Sequence, residues 1–84
     1  MASNSITVYG TAWCGDCQRA KRVLDGKGVS YTWIDIGADP GAAAEVMRMN
    51  GGMRSVPTIL FPDGSVLVEP SDSQLRAKIE TVVK

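Results

Sequence analysis

The stretch TAWCGDCQRAKRVL, Thr11 to Leu24, holds both cysteines of the 84-residue chain, Cys14 and Cys17. Just before it stands SITVY, Ser5 to Tyr9, β-branched and apolar, which reads as a short buried strand. From Cys17 onward Ala20, Val23 and Leu24 recur at helical spacing, with Gln18, Arg19, Lys21 and Arg22 on the polar side. The two thiols therefore sit where a strand hands over to a helix. Cys14 falls at the helix N-terminus, and Cys17 about one turn further in on the same side. Free N–H groups and the positive end of the helix dipole favour a thiolate at such a place. The thiolate is the attacking species in disulfide exchange. Cys14 is thus the expected nucleophile and Cys17 the shielded resolving thiol.

The residues between and after them modulate this. Gly15 gives the turn backbone freedom. Asp16 suits the dipole but places a like charge beside a thiolate. Lys21 would offset part of that charge if its stem folds back.

Working outward, GKG at Gly26 to Gly28 stops the first helix. VSYTWIDI, Val29 to Ile36, alternates and is aromatic-rich, so it is a second strand with Trp33 expected in the core. In DPGAAAEVMRMNGG, Asp39 is the N-cap, Pro40 the first helical residue, and Gly51 and Gly52 the stop. Met47, Met49 and Met53 are expected to fill the core. SVPTILF, Ser55 to Phe61, is a third strand, and PDG turns the chain into a fourth, SVLVE, Ser65 to Glu69. The last helix opens with a capping box, Ser71 with Gln74, and carries Leu75, Ile79 and Val82 on one face. The order β-α-β-α-β-β-α is an α/β class: a four-stranded mixed sheet flanked by three helices, with the first two strands parallel through a right-handed crossover. One domain is expected over residues 1–84.

Composition narrows the function classes. Lys plus Arg and Asp plus Glu are nine each, for a net charge of zero, so whole-chain charge gives no reason to expect nucleic acid or an anionic membrane as partner. No basic segment followed by a long apolar run opens the chain, and no apolar stretch reaches the roughly 20 residues that span a bilayer. A cytoplasmic protein is the expectation. A staple between Cys14 and Cys17 would close too small a loop to stabilise the fold much. Zinc would need further cysteine or histidine ligands, and the chain has no histidine and no third cysteine. A redox couple is the leading reading of the pair.

WCGDC after a strand, RSVPTILF some forty residues on and PSDSQL before the last helix together resemble a glutaredoxin, from Ile6 to about Val82. AAAEVMRMNGGMRSVPT followed by DGS and PSDSQL is similar to the mycoredoxin branch, which uses mycothiol in place of glutathione. The resemblance implies a thioredoxin-like fold with Pro57 cis and opposite Cys14. It implies that Val56 offers its backbone to a peptide-like thiol and that Trp13 flanks the thiol sulfur. Arg54, Ser71, Asp72 and Ser73 match positions that hold the polar tail of the small thiol. The implied activity is reduction of mixed disulfides between client proteins and mycothiol or glutathione. No metal or organic cofactor is called for, and a monomer is expected. Glu69-Pro70 stands where many glutaredoxins have Gly-Gly, so a thiol other than glutathione fits better. Two alternatives stay open: a dithiol redoxin recharged by a flavoprotein, and a dimer sharing an iron–sulfur cluster, which Gly15 permits.

Overall fold

β1 (Ile6–Gly10) lies inside the sheet, and its side chains alternate between two cores. Ile6 and Val8 enter one, with Ile59 and Phe61; Tyr9 enters the other. β2 (Tyr31–Asp35) pairs parallel to β1, from Ile6 beside Tyr31 to Gly10 beside Asp35. β3 (Thr58–Leu60) runs antiparallel on the other side, with Tyr9 beside Thr58, and β4 (Val66–Val68) closes a hairpin onto β3. The strand order is β2-β1-β3-β4. The computed structural model describes residues 6–82, so Ser5 and Val83, at the ends of predicted elements, lie outside the described residues.

α1 (Gly15–Gly26) and α3 (Asp72–Val82) cover one face, inserting Ala20, Leu24, Leu75 and Ile79. α2 (Pro40–Met49) covers the other with Ala42, Ala43 and Val46. This is the thioredoxin-like arrangement that the resemblance implies. The helix ends follow their chemistry. Asp39 Oδ1 accepts from the Ala42 N–H at 3.1 Å. Ser71 Oγ accepts from the Gln74 N–H at 3.1 Å while Gln74 Oε1 accepts from the Ser71 N–H at 2.8 Å, a reciprocal cap. Gly28, Gly51, Gly52 and Gly64 take positive φ at the stops and the hairpin turn.

Three expectations need correction. β3 starts at Thr58 rather than Ser55, because Ser55 to Pro57 is held by side chains: Thr58 Oγ1 donates to Ser55 O at 2.7 Å and accepts from Asn50 Nδ2 at 2.9 Å. Met53 lies beyond the end of α2 and is 62% exposed, so it fills no core. Lys21 does not fold back toward Asp16; its ammonium sits 4.2 Å from the centre of the Trp33 ring.

Candidate active site

The C-terminal end of β1 gathers the site. Gly10 O accepts from the Ile36 N–H at 2.9 Å, which brings the Asp35–Ala38 turn there. Continuing the register in which Tyr9 stands beside Thr58 places Pro57 and Val56 at the same end. Pro57 O accepts from the Glu69 N–H at 2.9 Å, which adds the start of α3. The segment Thr11–Cys14 leaves β1 into this cluster.

Cys14 is the N-cap of α1, in extended conformation, and its Sγ accepts from the Cys17 N–H at 3.3 Å. That places the sulfur in the cap position, where an N–H and the helix dipole both point at it. Cys17, one turn in, is 0% exposed. Burial, followed by the hydrogen bond with Cys14, pushes its thiol up to about 12, so it stays protonated at neutral pH. Both thiols are free. The pair thus divides into a partly exposed sulfur at a helix N-terminus and a buried thiol behind it. Asp16 is answered from its own helix: Arg19 Nη1 donates to Asp16 Oδ1 at 2.8 Å, and Arg19 Nε donates to Asp72 Oδ1 at 2.9 Å. Arg19 therefore ties the start of α1 to the start of α3.

The remaining predicted site residues fall as follows. Trp13 is 79% exposed beside Cys14, with its ring against Gly37. A Cβ at Gly37 would meet the Trp13 ring at 3.3 Å and Asp35 Oδ1 at 3.1 Å. The Val56–Pro57 bond is cis, Pro57 is buried, and no backbone hydrogen bond engages Val56 among the described residues. Arg54 is exposed and forms no ion pair among the described residues. Ser71 and Ser73 are exposed at the start of α3, their hydroxyls 3.3 Å apart, and the Asp72 carboxylate is engaged by Arg19. Glu69 has a φ of 50°, a left-handed conformation that glycine takes freely.

Sequence reasoning missed Gly10, Gly37 and Arg19. Gly10 carries no turn signal, since its role is room for side chains from other segments. Gly37 sits in the Asp35–Ala38 turn and donates its N–H to Asp35 Oδ1 at 2.8 Å, but the room it leaves for the Trp13 ring has no local signal. The Asp16–Arg19 spacing does mark a helical ion pair; the reach to Asp72 across 53 positions has no local signal.

A model of the glutaredoxin family matches residues 6–67. The chain belongs to the glutaredoxin family. This glutaredoxin is 42% identical over 79 residues to a Mycobacterium tuberculosis (strain H37Rv) protein provisionally named a glutaredoxin, covering 94% of each chain. It is 35% identical over 79 residues to mycoredoxin 1 of Corynebacterium glutamicum, covering 94% of this chain and 98% of that one. The solved structure of the thioredoxin-like protein BC3987 superposes with a TM-score of 0.76 at 26% identity, over 86% of this chain and 96% of that one. Family and fold together make this glutaredoxin a thiol-disulfide oxidoreductase. Among the described residues no helix is long and apolar enough to cross a membrane.

Proposed function

We propose that this glutaredoxin reduces mixed disulfides between proteins and a low-molecular-weight thiol, with mycothiol as the thiol and the cytoplasm as the compartment. The observation that carries the reading is the unequal placement of the two sulfurs: Cys14 partly exposed at the cap of α1, Cys17 0% exposed behind it. Cys14 attacks the sulfur of the small thiol, the S–S bond to the client breaks, and the client leaves as a thiolate that takes up a proton. Cys14 then holds the small thiol. A second small thiol frees it, or Cys17 resolves it to the Cys14–Cys17 disulfide.

Val56, which no backbone hydrogen bond engages among the described residues, is suited to pair with the peptide-like part of the thiol in strand fashion. Trp13 walls the sulfur, and Arg54 with Ser71, Asp72 and Ser73 addresses the polar tail. Likeness to mycoredoxin 1 over nearly the whole chain, with Glu69-Pro70 ahead of α3, supports mycothiol over glutathione. The scheme needs one copy of the chain and no resident metal or organic cofactor.

The test is turnover on a mycothiolated protein by two variants. Cys14→Ser is expected to lose activity at least a thousandfold, and Cys17→Ser to retain it within about tenfold. Loss of all reduction in Cys17→Ser would favour a dithiol donor recharged by a flavoprotein instead.

A further inference from the structure

The Cys17 sulfur has a neighbour that the disulfide chemistry leaves unused. A Cβ at Gly10 would stand 2.6 Å from Cys17 Sγ and 2.7 and 2.9 Å from Cη2 and Cζ3 of Trp33. Sulfur and indole edge therefore converge on one small space over the backbone of Gly10. Trp33 comes from β2 and is half-buried against the larger core. Lys21, four residues after Cys17 on α1, holds its ammonium 4.2 Å from the ring centre. One helix thus presents the thiol at the edge of the ring and a cation over its face.

We propose that Trp33, clasped by Lys21, is a positioning residue that lids Cys17 and sets how often Cys17, rather than a second small thiol, empties Cys14. The inference rests on the mixed-disulfide scheme above. In the inner exit, the Cys17 thiol gives its proton to solvent and its sulfur attacks Cys14 Sγ. The bond to the small thiol breaks, and the thiol leaves as a thiolate that takes a proton back. In the outer exit, a second small thiol attacks the sulfur of the bound one, so that their disulfide leaves and Cys14 keeps the electron pair. Only the inner exit needs water at Cys17, to receive the proton and stabilise the emerging charge. The indole edge shares the space over Gly10 with the Cys17 sulfur. Desolvation is also the main reason the Cys17 thiol is held up near 12. With the lid in place the outer exit dominates.

Alkylation of Cys17 by iodoacetamide, followed by mass in reduced Cys14→Ser protein, tests the lid without any substrate. Trp33→Leu is expected to speed it at least tenfold, and Lys21→Met, which keeps the stem, two- to threefold. Trp33→Phe, which keeps a ring edge, is expected to return it to within threefold of the parent. In the full chain, Trp33→Leu is expected to raise several-fold the share of Cys14–Cys17 disulfide formed in one round with a small mixed disulfide. Unchanged alkylation in Trp33→Leu, or no rescue by phenylalanine, would overturn the lid. If Trp33→Leu does not fold, Lys21→Met decides, and an unaltered rate there overturns it. Failure of the mixed-disulfide scheme would show separately, as missing turnover with the alkylation pattern intact.

Discussion

A methyl group added at Gly10 would meet the Cys17 sulfur and the Trp33 ring at under 3 Å, so one of them must move. Gly10→Ala is therefore expected to lower stability by about 1–3 kcal/mol, read from urea unfolding of the reduced protein. Glu69 presents the opposite case. Its φ of 50° suits glycine, and Glu69→Gly is expected to raise stability by about 1 kcal/mol, a gain of roughly 4–8 °C in Tm for a chain of this size. An unchanged or lower Tm would mean that the glutamate side chain contributes contacts that outweigh the strain. At this scale the sequence was legible wherever chemistry is local. The Cys14 cap, the Ser71–Gln74 box and the Asp39 cap are all readable from neighbours three positions away. The need for Gly10 was not, because Cys17 and Trp33 arrive there from other segments, nor was the packing of the Trp13 ring on Gly37.

The elements were legible from periodicity and stop signals, and their bounds less so. The third strand is apolar from Val56 to Phe61 except for Pro57 and Thr58, yet its ladder covers only Thr58–Leu60. Side-chain bonds from Thr58 and Asn50 shape the preceding loop, and no strand pattern encodes them. The hairpin carries a testable acid response. Asp63 accepts from the Ser65 hydroxyl and N–H and from Lys78, which holds its carboxyl down at about 2 from an ordinary 3.8. A carboxyl whose pKa is lower in the folded state contributes stability above its unfolded pKa and loses it as pH falls. The contribution should be present above about pH 4 and lost progressively as pH falls through about 2. Asp63→Asn is expected to flatten the stability-versus-pH curve across that window, measured by urea titration at stepped pH. An identical slope in the variant would remove Asp63 from the account.

Over the whole molecule, β1 carries the organisation. It supplies both cores through alternate side chains and delivers Thr11–Cys14 to the end where the Asp35 turn, the Val56–Pro57 loop and the start of α3 meet. The element order already implied a mixed sheet and helices on its faces. Arg19 was the missing long-range tie, joining α1 to α3 beside the site. The central claim is that this assembly makes two nearly adjacent cysteines chemically unequal. Peptide-mapped alkylation of the fully reduced native chain at neutral pH tests it most directly. Cys14 is expected to label at least tenfold faster than Cys17, and both to label alike once the chain is unfolded. Equal labelling in the native chain, or Cys17 labelling first, would contradict it.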